Sequence, residues 1–325
     1  MDKKIKSMDV VKKFIGIDIG GTSIKGIIIR ADGTVLGRHS VDTAKNDGDK
    51  LRDDIVEIVN ELIIAVGGYK DDIKGIGIGC PGLIDSKEGT VVFAGNLNLK
   101  YYPLAKGVAD RVGLPVKITN DANAAALGEA VFGAGKKYGD SILVTLGTGV
   151  GGGIVIGGKL FEGGGSAGAE IGHTVIVKNG LQCTCGRKGC LERYASASAL
   201  TEQTRAAMRE NANSEMWKGY SLESANGKTP FDYMDTDAAA KSVVDNYVSY
   251  LACGIVNLVN VFRPQVVMLG GGVSEQGERL TLPLQKIVDS EIFAGTDYAP
   301  VKIIKAKLGS GAGAFGAAAL LFDSL

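Results

Sequence analysis

An excess of charge of either sign is missing from this chain. Its 325 residues carry 36 Lys and Arg against 36 Asp and Glu, so no overall positive field exists to hold a phosphodiester backbone, and nucleic acid is not expected as the main partner. No secretory leader is expected either, because the N-terminal lysines are followed by no apolar core segment before Phe14. No run approaches the ~18 consecutive apolar residues of a membrane span. No membrane partner is expected, and the expected compartment is the cytoplasm. Cysteine is sparse and odd in number: there are five, with Cys183, Cys185 and Cys190 inside eight residues. That pattern points to metal ligation in a reducing compartment rather than to a disulfide framework. Nucleotide signatures of the commonest kinds are absent. No Walker A motif occurs, and the two G-x-G-x-x-G matches, at Gly77, Gly79, Gly82 and at Gly147, Gly149, Gly152, lack the following helix that would face a pyrophosphate. The first runs through Pro81 and the second enters a strand pattern, so hydride transfer has no support.

What is present is an apolar fraction of 45% in a chain long enough for two domains. The run Phe14 to Ile19 breaks at Gly20, Gly21 and Thr22 and resumes from Ile24 to Arg30, which reads as strand, tight turn, strand. Paired glycines in such a turn let backbone N–H groups converge on an anion, with a hydroxyl from Thr22 and a charge from Lys25. An ordinary hairpin is the alternative. The plan repeats at Ser141 to Leu146, Gly147-Thr148-Gly149 and Gly153 to Ile156, so the chain reads as an internal duplication with one hairpin in each half. A third cluster, Gly270 to Gly272, ends the apolar strand Val266 to Leu269, and together the three suggest a nucleotide.

Between the hairpins lie a helical pattern from Asp49 to Val66, a strand from Ile73 to Cys80, and the asparagine loop Gly95-Asn96-Leu97-Asn98, which suits either sugar hydroxyls or an Asx turn. The strand Val116 to Thr119 then leads through Asn120 and Asp121 into an alanine-rich helix. Asp121 suits two roles, a helix N-cap or a catalytic base at the C-terminal end of a strand. A helix N-terminus would lower its pKa, which phosphoryl transfer tolerates because the proton leaves late. Further on, helices are expected over Ser196 to Arg209 and Thr236 to Phe262, a last strand over Val301 to Ile304, and a closing small-residue helix to Leu325. The polar stretch from Asn211 to Lys228 suggests no function.

The richest segment runs from Glu170 to Glu192. His173, Cys183, Cys185 and Cys190 form the donor set of a closed tetrahedral zinc site, flanked by Glu170 and Glu192. A purely structural knuckle and a metal-stapled binding site both fit that arrangement.

Four stretches in order, Asp18-Ile19-Gly20-Gly21-Thr22, Leu146 to Gly153, Glu170-Ile171-Gly172-His173, and Cys183 through Glu192, make the chain resemble the bacterial glucokinases of the ROK family. The resemblance spans Phe14 to Leu325. It implies an α/β, two-lobed actin-like ATPase fold with a ribonuclease H-like mixed sheet and helices in each lobe. Residues 1–120 with 310–325 would form the small lobe, and 121–309 the large lobe with the zinc cluster. It further implies Asp121 as base for the sugar 6-hydroxyl, with Gly82, Asn96, Asn120, Glu170, His173 and Glu192 holding the sugar. Gly20, Gly21, Thr22, Lys25, Thr148, Gly149, Gly271 and Gly272 would surround ATP, Asp18 would act near Mg²⁺, and Zn²⁺ would be structural. A homodimer or homotetramer is expected. Glucose is the leading substrate, with N-acetylmannosamine or fructose as alternatives. A sugar-responsive repressor is less favoured, because the thirteen residues before Phe14 are too few for a helix-turn-helix. The chain departs from the family pattern at Ser310-Gly311-Ala312-Gly313, where Asn-Asp-Ala-Gly is usual, and at Leu99, where a tryptophan is usual.

Overall fold

A computed structural model describes residues 12–322. Lys3, Lys4 and Lys6 lie outside the described residues, and the closing helix, expected to run to Leu325, ends at Ala319. Contacts divide the chain into two compact units, Met1–Gly139 with Gly153–Ala169 and Leu308–Leu325, and Asp140–Gly152 with Glu170–Lys307.

Strands β1 (Lys13–Ile19), β2 (Ser23–Arg30), β3 (Val35–Asp42), β4 (Ile73–Cys80), β5 (Leu83–Asp85), β6 (Thr90–Ala94), β7 (Leu99–Tyr102) and β8 (Val116–Asn120) precede β9 (Ser141–Leu146), β10 (Val150–Ile156), β11 (Lys159–Phe161), β12 (Val266–Gly270) and β13 (Lys302–Lys305). The first sheet has the order β3-β2-β1-β4-β8, antiparallel between β1, β2 and β3 and parallel from β1 through β4 to β8. The second has the order β11-β10-β9-β12-β13, with β9, β12 and β13 parallel. In each, the hairpin seen in the sequence supplies the central strand, and parallel strands extend the sheet on its far side. That matching order supports the duplication.

The two faces of the first sheet are filled differently. Ile15, Ile17, Ile19, Ile24 and Ile28 pack against Leu51, Ile55, Ile58 and Leu62 of the helix Gly48–Ala65, an ordinary branched-chain core worth about 1.5–3 kcal/mol per buried side chain. On the other face the helix Ala312–Ala319 approaches at backbone distance. A Cβ on Gly16 would lie 1.9 Å from the Ala314 carbonyl oxygen, and one on Gly77 would lie 1.7 Å from that of Ala317. A Cβ on Gly316 would likewise lie 1.6 Å from the Ala124 carbonyl oxygen of the helix Asp121–Val131. Gly77 is therefore a packing residue, and any side chain there would displace the closing helix. The same contacts group residues 121–139 with the first unit, whereas the sequence division places them after the boundary at 120/121.

In the second unit the core helix is Ala238–Phe262, long and apolar enough on average to cross a membrane although Lys241, Asp245 and Asn257 interrupt its apolar residues. Val243, Val244, Tyr247, Leu251, Ile255, Leu258 and Val259 are all buried along it, as the helical spacing predicts. The Tyr247 hydroxyl donates to the Ala195 carbonyl at 2.8 Å, so its polar end is satisfied. With 61% of its apolar window buried inside the protein, it is a core helix.

Candidate active site and metal centre

Two acids sit at the C-terminal ends of β1 and β8, the strands on either side of β4 in the first unit. Asp18, near the end of β1, pairs with Gly79 on β4 and Lys25 on β2. β8 follows β4 with Asn120 opposite Cys80, so Asp121 emerges just beyond the sheet. Gly79 separates the two: a Cβ there would stand 3.7 Å from Asp121 Cα, 3.8 Å from Asp18 Oδ1 and 3.0 Å from Ala124 Cβ. The entry of the closing helix covers Asp18, since a Cβ on Gly313 would fall 2.5 Å from its carboxylate carbon. This contact gives Gly313 a reason to be glycine in a stretch that has lost its acidic residue.

Burial raises the Asp18 carboxyl to about 6, with the negative charge of Asp121 adding to the rise and Lys25 opposing it. Asp121 is raised as well. The expected lowering by the helix N-terminus is overturned, because burial outweighs the hydrogen bonds that Ala122 and Asn120 supply. Asp121 is also not the N-cap. Asn120 fills that place, its side-chain oxygen accepting from the N–H groups of Ala122 at 2.9 Å and Asn123 at 3.2 Å. Its amide nitrogen donates to the Gly82 carbonyl at 3.1 Å, so Asn120 and Gly82 form one unit beside Asp121. Gly82 has φ +103° and no room for a side chain against the Phe93 carbonyl. The Asn96 loop is an exposed turn closed by Leu97 N–H to Ala94 O at 3.2 Å, and Leu99 is buried next to Gly48.

The turn Gly20–Thr22 is braced from one side only. Gly20 N–H donates to Ser23 O at 3.0 Å, and the Thr43 hydroxyl donates to Gly20 O at 2.7 Å. A Cβ on Gly21 would meet nothing within 4 Å, and Thr22 is exposed. Thr43 was not a sequence candidate, and no local motif could have found it, since it comes from the end of β3.

In the second unit His173, Cys183, Cys185 and Cys190 bring one donor atom each within 4.8 Å of one another. Cys185 and Cys190 sulfurs stand 3.6 Å apart, and Cys183 sulfur stands 3.7 Å from His173 Nδ1. Zn–S bonds of about 2.3 Å imply a tetrahedral edge of about 3.8 Å, so these spacings fit a four-coordinate ion and are too long for a disulfide. Nδ1 turns to the cluster, which leaves Nε2 for another partner. The Cys183 N–H to Arg187 O bond at 2.8 Å and the left-handed Gly186 and Gly189 shape the ligand loop.

Two residues past Cys190, Glu192 lays its carboxylate on the second glycine turn. Its Oε2 accepts from Val150 N–H at 3.1 Å and would stand 2.2 Å from a Cβ on Gly149. Gly149 is thus bare because Glu192 lies on it, and Gly152 because Ile171 does. Glu170 is exposed and contributes its carbonyl to His173 N–H at 3.1 Å. Gly271, at φ +80°, presses on the Leu146 backbone, while Gly272 faces open space. A cavity of 380 Å³ adjoins Thr148, lined also by Ser198, Thr201, Arg205, Asn226 and Gly227. The polar stretch that suggested no function therefore ends at a candidate site, and nothing local in its sequence signals that return.

Compared with known proteins, residues 14–324 match the model of the ROK family. The chain is 37% identical to a glucokinase of Thermotoga maritima over 96% of its length and 98% of that protein. It is 30% identical to the xylose repressor of Bacillus subtilis, covering 95% of this chain and 77% of the repressor. Among solved structures it is similar to a ROK family glucokinase from Streptomyces griseus in complex with glucose and AMPPNP, with TM-score 0.76, 37% identity, and coverage of 95% of this chain and 98% of that one. The mixed α/β architecture is that of the actin-like ATPase fold. Matched along nearly its whole length, the chain belongs to the ROK family.

Proposed function

We propose that this protein is an ATP-dependent glucokinase that transfers the γ-phosphoryl group to the 6-hydroxyl of glucose. The observation that carries the reading is the pair Asp18 and Asp121 on either side of Gly79 at the C-terminal ends of two parallel strands. Near-full-length similarity to proteins named glucokinase supports the substrate.

Asp121 accepts the proton of the 6-hydroxyl. Burial raises the affinity of its carboxylate for a proton, which makes it a stronger base than an exposed aspartate. Because phosphoryl transfer passes through a loose transition state, holding the hydroxyl in line matters more than basicity. Gly82, Asn96, Asn120, Glu170, His173 Nε2 and Glu192 are the groups assigned to the sugar hydroxyls. Gly20, Gly21, Thr22 and Lys25 from one turn, and Thr148, Gly149, Gly271 and Gly272 from the other half, are assigned to ATP, with the cavity beside Thr148 available to its nucleoside. Asp18 would hold Mg²⁺, which screens the triphosphate. His173, Cys183, Cys185 and Cys190 would hold Zn²⁺ in a closed set that fixes His173 and, through Cys190, Glu192. The reading includes a cytoplasmic location and a homodimer or homotetramer.

Similarity to a xylose repressor favours one second reading, a sugar-responsive regulator. Coupled assays over glucose, N-acetylmannosamine, fructose and mannose, with ATP and polyphosphate as donors, decide between them. Glucose with ATP should give the highest kcat/KM. Asp121→Asn should lower kcat by about 10²–10⁴-fold while glucose still binds. No turnover on any sugar together with specific operator binding would replace the kinase reading by the regulator.

A further inference from the structure

Glu162 belongs to none of the motifs above, yet it is the centre of a continuous hydrogen-bond chain in the first unit. Its Oε1 accepts from the Thr119 hydroxyl at 2.5 Å and its Oε2 from the Ser86 hydroxyl at 2.9 Å. Ser86 Oγ in turn lies 2.7 Å from Ser166 Oγ, and Ser86 N–H reaches the same oxygen at 3.4 Å. A hydroxyl has one proton, so with Ser86 donating to the carboxylate, Ser166 must donate to Ser86. The chain therefore runs from Ser166 through Ser86 to Glu162, and Thr119 joins it from the other side.

Its two ends are informative. Thr119 is fully buried on β8, opposite Gly79 and two residues before Asp121. Ser166 lies in a loop that begins at Glu162 and is pinched shut where Gly168 N–H donates to Glu162 O at 2.8 Å. That loop is conformationally loaded: Gly163, Gly165, Ser166 and Ala169 all have positive φ, and for Ser166 and Ala169 this costs about 1–2 kcal/mol each. Only Ala169 separates the loop from Glu170. One carboxylate thus ties the strand that carries the base to the loop that delivers Glu170.

We propose that Glu162 is a positioning residue that clasps the loop 163–169 to the base-bearing strand and so sets Glu170 for the sugar. The consequence for the sugar rests on the kinase reading above; the clasp itself does not. Glu162→Gln keeps the size but replaces one acceptor oxygen by a donor, so one of the two hydroxyls must turn from donating to accepting and both lose a charge-assisted bond. Ser166→Gly is the second variant, which removes the hydroxyl while relieving the left-handed strain, so it folds at least as readily.

Amide hydrogen exchange on the unliganded chain reads the clasp directly. Residues 163–169 should exchange about tenfold faster in Glu162→Gln, and faster in Ser166→Gly, with the strands of the first sheet unchanged. In steady-state assays, glucose KM should rise about tenfold in Glu162→Gln while kcat and the KM for ATP stay within about twofold. Unchanged loop exchange in either folded variant would overturn the clasp. Faster exchange with an unaltered glucose KM, or with equal rises in both KM values, would overturn its role in placing Glu170. If the wild-type chain phosphorylated no sugar, the kinase reading would fall while exchange still decided the clasp.

Discussion

The two glycine turns hold equivalent places in sheets of equivalent order, yet their glycines exist for different reasons. At Gly20–Thr22 the turn is braced by Thr43 and is otherwise empty: Gly21 has nothing within 4 Å of a would-be side chain. At Gly147–Gly149 the bare face is already occupied, because Glu192 lies against Gly149 and accepts from Val150 N–H. The first turn leaves open space over Gly21. The second is organised by a resident carboxylate two residues past Cys190, one of the four residues that could hold a metal ion. A repeated motif thus does not imply a repeated job; what packs on it decides.

The largest test of that difference is metal removal. Binding of a structural zinc ion is worth on the order of 10 kcal/mol and is coupled to local folding. Stripping the metal with a chelator should therefore release the loop 183–190, loosen the second turn through Glu192 and weaken glucose binding, while exchange at Gly20–Thr22 stays as it was. Calorimetric titration of glucose before and after stripping reads this, and an unchanged affinity would break the link between metal and sugar. A smaller effect separates the turns directly. Gly149→Ala should push Glu192 off Val150, costing about 1 kcal/mol and raising glucose KM, whereas Gly21→Ala should change stability by no more than about 0.5 kcal/mol. Equal costs in denaturant titrations would mean the turns are not different after all.

A pH-dependent effect concerns Asp18 at the base of the first turn. Between its ordinary value of 3.8 and about 6, folded Asp18 keeps a proton that the unfolded chain has released. The folded state then binds more protons, so this group lowers stability as pH rises through that window. Asp18→Asn should raise Tm at pH 8 and leave it nearly unchanged at pH 4, and saturating Mg²⁺ should shrink the gain by stabilising the ionised wild-type carboxylate. A gain of equal size at both pH values would show that charge burial at Asp18 is not its cause.

Much of this was legible in residue order. Strand β1 and the helix Ala238–Phe262 followed from apolar spacing, and the gathering of His173, Cys183, Cys185 and Cys190 followed from donor types packed into a short segment, because such patterns are local. Other features were not legible. The N-cap went to Asn120 rather than Asp121 because backbone geometry, not residue preference, selects between two adjacent capping side chains. Gly77 and Gly79, which look like part of a dinucleotide fingerprint, are bare because Ala317 and Ala124 come from distant segments to lie against them. Glu162 carries no local signal, since its partners Ser86 and Thr119 lie 76 and 43 residues away.

By itself the sequence determined the strand and helix periods, the duplicated hairpins and the Cys₃His donor set, all of which depend on side-chain chemistry repeated within a few residues. Only the tertiary structure decided the direction of the Asp121 shift, the occupant of the second turn and the clasp on the base-bearing strand. Burial and cross-chain hydrogen bonds depend on which segments meet, and spacing along the chain does not encode that.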